Sequence, residues 1–294
     1  MSGLRRSMMF VPGNNPGMVQ NAAIYGADTV ILDLEDSVAL AEKDAARFLV
    51  QAAIKTMNYP CEVAVRINHI NTPFGRDDLE AVMAVRPDLI RLPKAESAAD
   101  IETIDAIIGE AEARYGFAPG SIKMMAAIET ARGVLKAYEI ASASPRMVAI
   151  AIGGEDFVAD LKIKRTKDGK EMMAARGQLV LAARAAGIDA IDSVFADAND
   201  EEGFIAETTM IKEMGFAGKS VVNPRQIRLV HQIYTPSTQD IEYAKRVIEA
   251  YREAVAAGSG VISLNGKMVD APIVIRAEHT LAYANAVGYN KGGQ

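Results

Sequence analysis

Short apolar runs recur along the chain, each followed by a polar or Gly-containing turn and then by a stretch rich in Ala, Glu and Lys. The pattern predicts strands at 7–12 (SMMFVP), 29–34 (TVILDL), 62–67 (EVAVRI), 89–93 (LIRLP), 123–128 (KMMAAI), 147–152 (MVAIAI), 190–195 (AIDSVF) and 219–223 (KSVVN). Runs that are apolar on both faces suit parallel strands covered by helices. Between them the period changes: in 98–113, Ile101, Ile104, Ile107 and Ile108 make an apolar stripe among acids, the signature of a helix with one buried face. Eight such βα units are the number that closes a (β/α)₈ TIM barrel, an α/β fold. An open, doubly wound sheet has the same periodicity and is the alternative architecture.

After Pro236 the rhythm stops. A long helix is predicted over 237–257, then a Gly-Ser-Gly stop at 258–260, an extended segment carrying Asp270, and a further helix. The chain therefore reads as a barrel domain, 1–235, and a C-terminal helical and extended segment, 236–294. Having no strand position left to fill, the segment is expected to act as a lid, over a mouth or against a neighbouring subunit. There is no internal repeat or low-complexity tract.

Composition narrows the classes. With 294 residues, half of them hydrophobic, the chain can bury one large core. A formal net charge of −6, with acids and bases interspersed, offers no footprint for nucleic acid or an anionic membrane. Cys61 is the only cysteine, so no disulfide forms within the chain and a cytoplasmic setting is expected; the thiol itself reads as a buried strand residue. The apolar run near the N-terminus is cut by Pro12 and Gly13 and is too short for a secretion signal. Nothing approaches the roughly 18 apolar residues of a membrane span.

Side chains at the C-terminal ends of barrel strands share one mouth, where catalytic residues concentrate. Here those ends are polar: Asp33-Leu34-Glu35-Asp36, Arg66-Ile67-Asn68, Glu129-Thr130 and Gly153-Gly154-Glu155-Asp156. Neighbouring strands lie about 4.8 Å apart, so Glu129 and Asp156 can approach one cation from two sides. That suits Mg²⁺, which takes one or two carboxylates and fills its shell with water and substrate oxygens. Glu35 and Asp36 would stand behind metal-bound water. The competing assignment has these acids capping the helices that follow.

Arg66 presents a planar fork suited to a substrate carboxylate, or it simply neutralises the acids around it. Gly153 and Gly154 permit close backbone approach and could offer N–H groups to an oxyanion; turn geometry explains them equally well. Lys94 raises Schiff-base chemistry as a rival, but surrounding acids would keep it protonated. His69, His231 and His279 show no spacing that pairs them with a nucleophile or a metal ligand, and read as surface or packing residues.

The segments RRSMMFVPGNNPGM (5–18), GADTVILDLEDSV (26–38), AVRINHINTPFG (64–75), IRLPKAES (90–97), AAIETARGVL (126–135), AIGGEDF (151–157), NDEEGF (199–204), GKSVVNPRQI (218–227) and ISLNGKMVDAP (262–272) together resemble the HpcH/HpaI aldolase/citrate lyase family, and within it the citryl-CoA lyases (citrate lyase β subunits), with malyl-CoA and citramalyl-CoA lyases as sister groups. The resemblance implies a TIM barrel with a C-terminal extension, assembled as a homotrimer or larger homo-oligomer. It implies Mg²⁺ on Glu129 and Asp156, a carboxylate-binding Arg66 and an acid/base at Asp270 that reaches a neighbouring subunit's mouth. It further implies cleavage of a citryl thioester, on CoA or a carrier protein, into oxaloacetate and an acetyl thioester. Glu35 and Asp36 join the expected catalytic set, and Glu129 and Gly154 the substrate contacts. As a citrate lyase subunit the chain would also meet α and γ partners. A malyl- or citramalyl-CoA lyase, or a subunit inactive outside its complex, is the alternative reading.

Overall fold

A computed structural model describes residues 3–256, 262–264 and 267–288. The chain divides into two compact units, one spanning Arg5–Val230 and the other holding Gly3, Leu4 and the described residues from His231 onward.

The first unit is built on β1 (Ser7–Pro12), β2 (Thr29–Asp33), β3 (Glu62–Arg66), β4 (Leu89–Leu92), β5 (Lys123–Ile128), β6 (Met147–Ile152), β7 (Asp189–Asp192) and β8 (Gly218–Val221). They pair in sequence order, and β1 pairs in parallel with both β2 and β8, closing the barrel. The open-sheet alternative is thereby excluded. All eight runs predicted as strands are strands, shortened by a residue or more at several ends.

Side chains alternate across a strand, so residues two apart share a face. Met8, Ile31, Ala64, Leu89, Met125, Ala149, Ala151 and Ile191 fill the barrel interior as one buried cluster. Two residues further along the first four strands the row reads Phe10, Asp33, Arg66 and Arg91, so three of the four turn charged. Register places Asp33 opposite Arg66 and Arg66 opposite Arg91, so these charges form one row. An apolar floor thus carries a charged layer at the C-terminal end.

The outer helices follow from their caps and stripes. Ser97 caps Ala98–Tyr115 in a capping box with Asp100, and that helix buries Ile101, Ile104 and Ile108. At the N-terminal end of the barrel the charges are structural: Arg5 donates to Glu62 at 2.7 Å and to Asp189 at 3.1 Å, tying β3 and β7 to the segment entering β1. Cys61 is only half-buried and precedes β3 rather than lying in it; the strand begins one residue later, at Glu62. Burial pushes its thiol pKa up, away from reactivity.

In the second unit a helix, Thr238–Ala256, and a helix, Ala271–Ala286, flank an antiparallel hairpin of β9 (Ile262–Leu264) and β10 (Lys267–Val269). Ala244, Val247, Val269, Val274 and Ala277 form its core. The segment read as merely extended is thus a hairpin, and the Gly-Ser-Gly stop at 258–260 lies outside the described residues. Asp270 ends the hairpin and caps the last helix, accepting the Ile273 N–H at 3.4 Å. Among the described residues no helix is long and apolar enough to cross a membrane.

Candidate active site

The charged layer opens into a cavity of about 340 Å³ whose lining includes Asp33, Asp36, Arg66, Arg91, Glu129, Gly154 and Asp156. Of the residues singled out from sequence, Glu35 joins this group through its ion pairs with Arg66 and Lys94. Asp270 lies in the second unit.

Arg66 is anchored first by a residue that sequence reasoning gave no role. Its Nε and Nη2 donate to the two carboxylate oxygens of Asp33 at 2.6 and 2.7 Å, a bidentate fork across the β2–β3 register. Nη1 lies 3.1 Å from Glu35 Oε2 and donates to Asp36 at 3.2 Å. Burial opposes ionisation of Asp33, but Arg66, the Ser37 hydroxyl and the Glu35 N–H outweigh it and hold its carboxyl below the usual range. The same pairing holds the Arg66 guanidinium firmly charged against the cost of burial. Asp33 therefore fixes one edge of the fork, and Nη1 on the other meets Glu35 and Asp36.

Glu129 follows β5 and is 2 % exposed. Burial, then the nearby charges of Glu35 and Asp156, push its carboxyl up to about 7. Burial also raises Glu35, with Asp36 adding to it and Arg66 and Lys94 opposing; its Oε2 has no hydrogen bond. Asp156 is not at a strand end, as its sequence position suggested, but in the first turn of the helix Gly154–Asp160. There the helix dipole favours a negative charge.

Lys94 links the acids. Its Nζ donates to Glu35 at 3.3 Å and stands 3.7 Å from Asp156, while its backbone N–H donates to Glu129 at 3.1 Å. It adopts a left-handed backbone with φ of 50°, as Arg86 and Lys162 also do, a conformation uncommon outside glycine. Partial burial works against its charge, but Glu35, Asp156 and Asp36 prevail and raise its pKa. A protonated amine is a poor Schiff-base nucleophile, so Lys94 serves as a counter-charge.

The two glycines differ from expectation. The Gly153 N–H donates to Ile128 at 2.9 Å, so it belongs to the barrel ladder and is not free for an oxyanion. Its missing Cβ matters more, because one would overlap the side chain of Glu129. A Cβ at Gly154 would meet Arg165 and the Ser193 hydroxyl. His69 accepts the Asn71 N–H within its own loop at 3.2 Å.

The donor set fits a hard divalent cation. Five carboxylates, Asp33, Glu35, Asp36, Glu129 and Asp156, face three cationic side chains, Arg66, Arg91 and Lys94; Glu155, which also lines the cavity, lies 3.6 Å from its own partner, Arg165. Lys43, whose ammonium donates to the Leu34 and Glu35 carbonyls, adds a fourth cation behind Asp33, Glu35 and Asp36, and with all five acids ionised the balance stays negative. Burial raises both Glu129, to about 7, and Glu35, so a cation at the mouth would favour the ionised form of each. Among the described residues no three His, Cys, Asp or Glu side chains form a metal cage; Mg²⁺ is commonly held by one or two carboxylates, with water and substrate oxygens completing its shell.

Arg91 and Phe10 also escaped the sequence reading. Both Arg66 and Arg91 lie over the Phe10 ring, at 4.8 and 5.0 Å from its centroid. The signal was available in the spacing: Arg91 stands two residues after an interior leucine, as Arg66 stands two after an interior alanine.

Residues 6–224 match the HpcH/HpaI aldolase/citrate lyase family. The citrate lyase subunit beta of Leuconostoc mesenteroides subsp. cremoris is 52 % identical over 96 % of this chain and 94 % of its own. A (3S)-malyl-CoA thioesterase of Cereibacter sphaeroides is 36 % identical over 96 % of this chain and 95 % of its own. Among solved structures, the Mycobacterium tuberculosis CitE protein in complex with magnesium, acetoacetate and coenzyme A superposes with a TM-score of 0.79 at 34 % identity, covering 96 % of this chain and 98 % of that one. The citrate lyase beta subunit of the same organism, complexed with oxaloacetate and magnesium, gives 0.68 at 35 %, covering 80 % and 98 %. The barrel, its acidic mouth and these likenesses agree: the chain belongs to the HpcH/HpaI aldolase/citrate lyase family and is a carbon–carbon lyase.

Proposed function

We propose that the chain is a Mg²⁺-dependent citryl thioester lyase, releasing oxaloacetate and an acetyl thioester in the cytoplasm. The observation that carries this reading is the mouth itself: a buried Glu129 and a nearby Asp156 in a cluster of acids that repel one another, beside an arginine anchored by Asp33. The likeness to citrate lyase beta subunits at 52 % identity, against 36 % for the malyl-CoA thioesterase, favours the citryl substrate over its malyl relative.

Glu129 and Asp156 would hold the ion, which when bound acts as a Lewis acid on the substrate hydroxyl and carboxylate. Arg66, fixed by Asp33, offers Nη1 to that carboxylate in place of Asp36 and sets the orientation of the bond to be broken. Glu35, whose pKa is raised by burial, takes the hydroxyl proton on Oε2, with Asp36 and Lys94 adjusting its charge. The bond between the hydroxyl-bearing carbon and the thioester α-carbon then breaks, its electron pair passing to the thioester as an enolate. Gly154, which lines the cavity, meets the substrate with its backbone. Asp270 delivers the proton that completes the acetyl group. What supports Asp270 is its place in the MVDAP segment and its fixed position at a hairpin end; the resemblance puts it at a neighbouring subunit's site, so we propose a homotrimer or larger assembly in which 236–294 serves as the lid. The acyl carrier, CoA or a carrier protein, and docking with α and γ subunits belong to the same proposal.

The test is a comparison of citryl-CoA with malyl-CoA and citramalyl-CoA, using the purified chain with Mg²⁺ and Asp270→Asn beside it. Oxaloacetate release that Asp270→Asn abolishes supports the reading; turnover of malyl- or citramalyl-CoA alone moves the chain to the sister reaction.

A further inference from the structure

Arg91 is the one cation of the charged row that the mechanism above leaves unused. It is 3 % exposed, lines the cavity and stands opposite Arg66 in the β3–β4 register. Yet among the described residues it has no ion-pair partner. Its Nη1 reaches only the Met125 sulfur, at 3.8 Å, and its Nε has no hydrogen-bond partner. Asp33, the acid next along the row, has both oxygens taken by Arg66. Burial, with repulsion from Arg66, lowers the Arg91 pKa to about 10, still far enough above neutrality to keep the charge. An unpaired buried guanidinium is costly, and a protein that needed only to fill this position would place an apolar side chain there.

We propose that Arg91 is a specificity-determining residue that binds a second carboxylate of the ligand, beside the one held at Arg66. The inference rests on the citryl reading for its substrate, and the chemistry agrees in number. A citryl thioester keeps two free carboxylates, and oxaloacetate has two, whereas a malyl or citramalyl thioester keeps one. Two buried arginines, adjacent on neighbouring strands, match the first pair and exceed the second. The planar fork suits a carboxylate in the geometry that Arg66 already shows with Asp33. Arg91 thus reads the group that distinguishes citryl from malyl, while Glu129 and Asp156 act on atoms common to both.

The probes are oxaloacetate and pyruvate, which differ by that one carboxylate, titrated calorimetrically into Mg²⁺-loaded protein. A charge-assisted contact should favour oxaloacetate by about 10- to 100-fold in the native chain. Arg91→Met should remove that preference by weakening oxaloacetate alone, leaving pyruvate and Mg²⁺ affinity within about threefold. Arg91→Lys, which keeps charge but not the fork, should fall between the two and decides the matter if the methionine variant does not fold. No oxaloacetate preference in the native chain, a preference undiminished in either variant, or an equal loss for both ligands overturns the proposal. Failure of the citryl reading is separate: a chain that prefers oxaloacetate through Arg91 but releases none from citryl-CoA keeps this site and loses that reaction.

Discussion

Gly153 stands so close to the Glu129 side chain that a single methyl group on its Cα would overlap it. The glycine on β6's end is thus a spacer for the carboxylate on β5's end, and the two form one unit. Gly153→Ala should push Glu129 from its position, reducing Mg²⁺ affinity about tenfold or more, while overpacking costs about 1–3 kcal/mol of stability. Mg²⁺ titration and thermal melting of the variant check this; unchanged Mg²⁺ affinity would remove Glu129 from the ligand set.

Asp33 is the support on which Arg66 depends. Asp33→Asn removes one charge from a buried bidentate pair, and such a change typically costs about 3–5 kcal/mol. If enough folded protein remains, kcat/KM should fall by about 100-fold through lost orientation of the arginine. Urea denaturation and steady-state kinetics separate the two effects. A variant of native stability and activity would show that Arg66 needs no such anchor.

The pH dependence of metal binding follows from Glu129. Its carboxyl is pushed up to about 7, so protons compete with Mg²⁺ below neutrality, and affinity should fall about tenfold per unit as pH drops below that value. The sign for stability is the reverse of the usual carboxylate case. A raised folded-state value means that ionised Glu129 destabilises the metal-free protein above its unfolded value, and the penalty is full above about 7. Mg²⁺ relieves it, so the Mg²⁺-induced rise in Tm should be larger at pH 8 than at pH 6. Glu129→Gln should lose both dependences.

How far the sequence reached can be judged from these same residues. The eight strands and the polar character of their ends were legible because burial on both faces leaves near-continuous apolar runs, and closure agreed with the count of units. Arg66, Glu129 and the glycine pair were visible as departures from that apolar pattern. Asp33 and Arg91 were not assigned because their meaning depends on register between strands, which places Asp33 against Arg66 and Arg66 against Arg91; a period of two within one strand gives the face but not the neighbour. Asp156 was misplaced because β6 ends at Ile152 and a helix starts at Gly154, with Gly153 as its N-cap. The hairpin before Asp270 was missed because β9 and β10 pair only with each other and each has 3 residues, too few for a periodic signal.

Acid stability should be set in part far from the mouth. Glu112 is 1 % exposed; burial opposes its charge, but Arg146 at 2.7 Å and the Ile122 and Gly120 N–H groups prevail and hold its carboxyl down to about 2. The depressed value means stability that is present above the unfolded carboxyl range and lost as pH falls from about 4.5 toward 2, worth up to about 3 kcal/mol. Glu112→Gln should lower the unfolding free energy at pH 7 by about that amount and converge with the native chain near pH 2. Parallel urea curves across the range test it; a constant gap at all pH values would contradict the assignment.

The most direct measurement of the central claim is oxaloacetate release from citryl-CoA by the purified chain in Mg²⁺, in excess EDTA, and in Mg²⁺ with Glu129→Gln. Release in Mg²⁺ that EDTA stops, that returns when Mg²⁺ is restored, and that falls at least about 100-fold in Glu129→Gln is the outcome expected. Release that persists in EDTA, or that Glu129→Gln leaves intact, would contradict a magnesium lyase centred on this mouth.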